Sequence, residues 1–289
     1  MKALKIIIFF CLTVLFAGFS QTVNAQDSET YRITTTDGNV FIGVLISEND
    51  ESVTIETESA GQITINRSNI QEMVLLAEDR MRDDGYWHEN PLKTRYLFAP
   101  NALGLKKGAG YYQNTWILFN NVNYGVTNNF SIGVGTVPLF LFGVPYTPFW
   151  LMPKLSIPVA GDQFHLSAGA LIGGIIGEDS GSGGLLYGTG TVGGGDRNLS
   201  FGLGYAYGEG EISSTPVVNI SGLMRTGRNI YFISENYFVS EAGINGLMSL
   251  GVRWAPENFS LDFALLRPIE ATGSFIGVPW LGVTLPFGK

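Results

Sequence analysis

The sequence predicts an all-β protein: an antiparallel transmembrane β-barrel of about twelve strands, preceded by a small five-stranded barrel. Three observations carry this reading. Large apolar residues alternate with small or polar ones through the second half, as in Leu199-Ser200-Phe201-Gly202-Leu203-Gly204-Tyr205. Charged side chains make up only 15% of the 289 residues, where soluble chains carry about 25%. No stretch after residue 90 is long and apolar enough for a spanning helix, which needs roughly 20 residues.

The chain opens on a targeting segment. Met1-Lys2-Ala3-Leu4-Lys5 is a short positive end, Ile6 to Phe19 is apolar, and Thr22-Val23-Asn24-Ala25 offers a small-residue cleavage site. That pattern is a secretory signal peptide over residues 1–25 rather than a membrane span. Cys11, the only cysteine, lies inside it behind the bulky Ile8-Phe9-Phe10, which argues against lipidation. The mature chain then has no disulfide, no thiol catalysis and no cysteine-based metal site.

Charge divides the remainder in two. Residues 26–90 hold 14 Asp or Glu against 4 Arg, whereas residues 91–289 hold 11 acidic and 11 basic residues. Of the 38 glycines, 33 follow residue 90. The overall charge of −8 is therefore that of an acidic N-terminal module added to a neutral C-terminal one.

The acidic part, residues 26–77, reads as five strands: 31–36, 40–47, 52–58, 62–66 and 70–75. Val53, Ile55 and Thr57 share one face, Ile63 and Ile65 alternate with polar neighbours, and Asp37-Gly38-Asn39 and Ala60-Gly61 supply turns. Alternation bounded by such turns is a strong strand signal. Asp37-Gly38-Asn39-Val40-Phe41-Ile42-Gly43-Val44-Leu45, followed by Ile70, resembles Sm-like and SH3-like barrels. In those families a glycine at the Gly43 position permits a sharply bent second strand. Many Sm-like domains bind RNA; export and the excess of carboxylates argue against nucleic acid here. A periplasmic spacer, or a contact module for a protein or cell-wall partner, is the reading that remains. Residues 78–93 read as a charged linker ending at Tyr86-Trp87-His88, aromatics that either approach a membrane surface or pack on the adjoining barrel.

From residue 94 the strands fall at about 94–99, 110–125, 130–138, 150–159, 164–175, 184–193, 198–207, 217–225, 229–239, 246–254, 258–266 and 278–287. Tight connections at 126–129, 160–163, 194–197, 226–228 and 255–257 alternate with longer ones. Short periplasmic turns and long outer loops produce that alternation, with outer-membrane lipid against the apolar face. An even strand count returns both barrel ends to one side, which places residues 26–90 in the periplasm. Tyr124-Gly125-Val126-Thr127-Asn128-Asn129-Phe130-Ser131-Ile132-Gly133-Val134-Gly135 resembles hairpins of Gram-negative outer-membrane barrels, particularly those of Bacteroidota. The end, Trp280 to Lys289, resembles their aromatic-rich terminal strand, with two residues placed after Phe287. A soluble β-sandwich is the architectural rival.

Strand phase points several polar groups inward. Lys154, Arg253, Asp262 and Glu235 are the lumen-lining candidates, with Asp262 pairing near Gly251 and diagonal to Arg253. They read either as a solute constriction or as charges that neutralise one another in a closed barrel. His165 and Ser167 share a strand face, and the His-x-Ser pair resembles that of outer-membrane lipid A deacylases, with Glu178 or Asp179 as an orienting acid. An inward pair is badly placed to attack a membrane acyl chain, so these two stand as weak catalytic candidates. The sequence holds only two histidines and offers no phosphate loop, so no metal or cofactor is assigned. The aromatic stretch Leu139 to Pro153 reads as an infolded loop, an aromatic belt or a contact surface. The leading function is a non-enzymatic envelope role, structural or interaction-based. A passive channel for small solutes and a lipid-modifying enzyme are the alternatives.

Overall fold

The computed structural model describes residues 29–288 except 83–84, 142–145, 178–180, 241–243 and 271–274. The signal-peptide assignment, Cys11, Glu178 and Asp179 lie outside the described residues. The chain divides after Tyr86 into two compact units.

The first unit is a five-stranded antiparallel sheet of β1 (Thr30–Thr35), β2 (Val40–Glu48), β3 (Ser52–Thr57), β4 (Gly61–Asn66) and β5 (Ile70–Leu75), with spatial order β4-β3-β2-β1-β5. Its ladder leaves β4 and β5 at opposite edges, so hydrogen bonding does not close it all round. Alternation decides its core: Ile33, Val53, Ile55 and Ile65 are buried, with Phe41, Leu45, Ile63 and Met73 packed around them. Gly43 lies under β3, where an added Cβ would meet the Glu56 carbonyl oxygen, and the β2–β3 register shifts just beyond it, between Leu45 and Ser47. Close approach of two backbones is what requires glycine there. A two-stranded ribbon, β6 (Met81–Arg82) and β7 (Gly85–Tyr86), ends the unit.

The second unit contains a closed antiparallel barrel of twelve strands. They are β8 (Gly110–Thr115), β9 (Phe119–Gly125), β10 (Phe130–Thr136), β11 (Tyr146–Ala160), β12 (Phe164–Gly177), β13 (Ser182–Gly193), β14 (Arg197–Gly208), β15 (Glu211–Arg225), β16 (Ile230–Ser240), β17 (Ile244–Trp254), β18 (Ser260–Pro268) and β19 (Val278–Phe287). Each pairs with its neighbour in sequence, and β19 pairs with β8 to close the ring. The period of two sets the wall: on β14, Leu199 and Phe201 are more than half exposed outward while Asn198 and Ser200 are buried inward. The outer face continues through Leu250, Phe263, Leu281 and Leu285, an apolar surface far larger than a water-soluble monomer presents.

The number twelve is reached by a different route from the sequence reading. Residues 94–99 are not in the wall. The segment 110–125 is instead a hairpin whose turn, Trp116-Ile117-Leu118, has Trp116 and Ile117 at φ of 50° and 68°. Asp262 also sits directly opposite Arg253, not diagonal to it, because the β17–β18 connection extends through Phe259. Much of Leu139 to Pro153 is strand: β11 begins at Tyr146, and a short 3-10 turn covers Pro138–Leu141.

Candidate functional site

The lumen is occupied by the chain itself. Residues 87–109 enter at the end carrying the tight turns, reach a tip at Leu97-Phe98, and return to the same end to start β8. The tip is a miniature hairpin: Tyr96 donates its N–H to the Ala99 carbonyl (2.9 Å), Arg95 bridges Pro100, and Asn101 donates to the Thr94 carbonyl (3.1 Å). Two asparagines fix the bends, since Asn90 Oδ1 accepts from the Leu92 N–H and Asn101 Oδ1 from the Leu103 N–H, both at 3.0 Å. Arg95, Tyr96, Leu97 and Asn101 are all essentially without solvent exposure.

Every lumen candidate from the sequence touches this plug. Glu235 on β16 directs Oε2 at the tip and accepts three successive backbone N–H groups, from Leu97 (2.8 Å), Phe98 (2.9 Å) and Ala99 (2.9 Å). Its Oε1 accepts from the Tyr237 hydroxyl at 2.9 Å. Consecutive N–H groups around an anion form a nest, which offsets the desolvation of a buried carboxylate.

Arg253 and Asp262 form a bidentate pair, Nε to Oδ1 at 2.6 Å and Nη2 to Oδ2 at 3.0 Å. Arg95 from the plug joins it, donating Nη1 to Asp262 Oδ2 at 3.2 Å and to the carbonyls of Tyr96 and Leu97. Arg253 also donates to the Tyr96 carbonyl at 2.6 Å. Lys154 on β11 completes the set, donating to the carbonyls of Asn101 (3.1 Å) and Leu103 (2.7 Å). The two sequence readings of these charges, a constriction and mutual neutralisation, are joined by a third that the structure displays: they hold an internal peptide.

Residues not singled out in the sequence share the work. Tyr96 donates to Asn198 Oδ1 (2.7 Å), Gln113 donates to the Leu97 carbonyl (2.9 Å), and Thr191 Oγ1 accepts from the Ala102 N–H (2.8 Å). At the tight-turn end Arg225 donates to the His88 carbonyl (2.8 Å) and lies over the Trp87 ring at 4.7 Å, so these aromatics belong to the plug's entry. His88 Nε2 is 3.1 Å from the Ala255 carbonyl. Burial first, and then the Arg225 guanidinium, hold the His88 imidazole below its ordinary range. Tyr96, Leu97, Leu223, Tyr231, Ile233, Ala255, Ala264 and Trp280 make an apolar core between the tip and the β15–β19 wall.

On the opposite side the packing leaves space. A cavity of about 100 Å³ lies beside the plug, lined among others by Lys154, Asn123, Ser131, Thr189, Phe98 and Leu171. Beyond the tip, toward the long-loop end, a chamber of about 690 Å³ is lined by Phe98, Leu171, Phe119, Phe140, Trp150 and Ile175 among others. Gly135 makes room for Trp150, whose indole occupies the place a Cβ would take.

His165 and Ser167 face inward on β12 and are buried. His165 Nε2 and Ser167 Oγ have no hydrogen-bond partner, so no base–nucleophile contact joins them. The returning limb of the plug passes close by, since a Cβ at Gly104 would touch Ser156, the cross-strand partner of Ser167.

Fold and site together define a plugged, outer-membrane-type β-barrel. No family model matches the chain, and no curated protein matches it. Solved structures with a similar fold include the KdgM porin, at 7% identity and a TM-score of 0.46 over 63% of this chain and 99% of that one. OprD of Pseudomonas aeruginosa matches at 11% identity and a TM-score of 0.35, over 91% of this chain and 96% of that chain. A loop-deletion mutant of OmpT, an outer membrane protein of Vibrio cholerae, matches at 12% and 0.32, over 91% and 97%.

Proposed function

We propose that the protein is an outer-membrane conduit for small solutes, held shut by its own hairpin plug. The observation that carries this is the Glu235 carboxylate seated on the three N–H groups of Leu97, Phe98 and Ala99. A wall that served only as a scaffold would be filled most stably by apolar side chains, because buried charges are costly to desolvate. Here buried charges on the wall grip backbone groups of a segment tethered at both ends on one side, a design suited to release. Planar-bilayer recording of the full-length protein tests it. The wild type should be mostly closed, with Glu235→Ala and Arg253→Ala each raising the open fraction. Bilayers that stay silent for both variants would remove the conduit.

The closed lumen also supports a structural or interaction role, in which the acidic N-terminal sheet, likened above to SH3 and Sm domains, is the contact module. In that reading it sits in the periplasm and offers β4, an edge strand with exposed Gln62 and Thr64, to a protein or cell-wall partner. Co-purification with a partner that is lost when residues 29–77 are deleted, alongside a silent barrel, would favour this role.

A further inference from the structure

We propose that the space left beside and beyond the plug is a binding site for an amphipathic carboxylate, with the acid group near Lys154 and the hydrocarbon chain in the aromatic chamber. The inference deepens the conduit reading by naming a class of solute.

The head-group end is built from unmet donors. Lys154 is only 6% exposed, yet among the described residues no carboxylate pairs with it. Its ammonium has three protons and spends two, on the carbonyls of Asn101 and Leu103. Asn123 lines the same cavity, and its buried Nδ2 donates to nothing. A buried cation and an idle amide donor around one small space fit an anion. A volume of about 100 Å³ holds roughly three waters, enough for a carboxylate.

The tail end has the opposite character. Phe98 and Leu171 line both spaces, so the small cavity and the chamber of about 690 Å³ adjoin across these two side chains, which a bound chain would have to pass. Phe119, Phe140, Trp150 and Ile175 face that chamber, and among the described residues no charged side chain lines it. An unbranched chain placed there lies against apolar side chains, and each methylene it buries contributes about 0.8 kcal/mol. A free inorganic anion would leave the chamber unused, and a neutral hydrocarbon would leave Lys154 uncompensated. One molecule with both parts satisfies both ends.

Equilibrium dialysis of the full-length protein in nanodiscs, with empty nanodiscs as background, tests the site. Dodecanoate, dodecan-1-ol and acetate are the probes. Wild type should bind dodecanoate saturably, at least about tenfold more tightly than either other probe. Because Lys154 also holds the plug, two head-group variants are compared: Lys154→Met and Asn123→Leu should each shrink the preference for acid over alcohol. Ile175→Trp, which fills the chamber, should weaken acid and alcohol alike. Dodecanoate uptake no greater than by empty nanodiscs, equal binding of acid and alcohol, or acetate binding as tight as dodecanoate overturns the proposal. Conductance is judged separately, so a barrel that binds dodecanoate but never conducts retains the site and loses the conduit.

Discussion

Arg253 and Asp262 stand directly opposite each other on β17 and β18, and Arg95 of the plug completes the pair from within the lumen. All three are essentially without exposure, so two guanidinium groups share one carboxylate in a dry site. Removing that carboxylate leaves both cations unmatched, and breaking such a buried pair costs about 3–5 kcal/mol. Asp262→Asn should therefore destabilise the barrel by that order in urea unfolding. Pairing it with Arg95→Met should recover part of the loss, and a double variant no better than the single would contradict the shared charge.

Glu235 tests the plug more locally. Gln keeps the size and one acceptor oxygen but loses the charge that favours three N–H donors. Glu235→Gln should speed amide exchange at Leu97, Phe98 and Ala99 by about tenfold or more, the equivalent of ~1.4 kcal/mol. Exchange in β18 and β19 should change little. Equal acceleration across the barrel would mean that Glu235 stabilises the wall rather than the tip.

His88 supplies a pH dependence with a definite sign. Its folded pKa is lowered by burial and by Arg225, whereas released from the site it would titrate near the ordinary value of 6.5. The docked state thus binds fewer protons, and its stability is fully present above about pH 6.5 and falls as the pH drops toward the lowered folded value. Labelling of Lys93→Cys, expressed at each pH relative to the same thiol in the denatured protein to remove the loss of thiolate, should rise between pH 7 and pH 5, and His88→Gln should flatten the rise. A rise that survives in the variant assigns the effect to another group.

From Phe130 onward the alternation that makes a barrel wall was legible in the sequence, because a period of two admits only two faces. It placed Lys154, Glu235, Arg253 and Asp262 inward without knowledge of what they meet. The plug was not legible. Thr94 to Ala99 reads as a wall strand in the sequence, yet it bends back on itself, with the Tyr96 N–H on the Ala99 carbonyl and Arg95 bridging Pro100. The signal that could have found it is the pair of Asn-x-Leu turns at Asn90 and Asn101, whose side-chain oxygens take up the N–H two residues on and bend the chain. The hairpin at Trp116 escaped notice for the reverse reason, since none of its turn residues is one that turns prefer. The small cavity and the chamber escaped as well, because which side of the plug is filled depends on long-range packing.

Gly43 offers a test within the acidic module. A methyl group there would press on the Glu56 carbonyl of β3, a backbone atom that cannot swing aside. Gly43→Ala should destabilise the sheet by about 1–3 kcal/mol, the usual cost of overpacking. Loss of amide protection confined to β2 and β3 of the full chain would show it. Gly61 has a φ of 67° but open space around it, so Gly61→Asn, which tolerates that conformation, should cost little. Comparable losses at both positions would refute the steric account.

The β8–β9 turn carries strain that substitution can relieve. Ile117 is β-branched, holds a φ of 68°, and is 86% exposed, so its side chain gains little from packing. Left-handed backbone costs an L-residue roughly 1–2 kcal/mol and glycine almost nothing. Ile117→Gly should therefore stabilise the folded barrel by about 1 kcal/mol, after allowing for the extra freedom of glycine in the unfolded chain. Trp116 shares the unusual backbone but is held, its Nε1 donating to the Pro279 carbonyl at 2.7 Å and its ring 5.0 Å from Trp280. Trp116→Gly should accordingly destabilise, because the relief of strain is outweighed by the lost ring contact and hydrogen bond. Urea midpoints moving in opposite directions for these adjacent residues would separate backbone strain from side-chain anchoring, and midpoints moving together would show that one effect governs both.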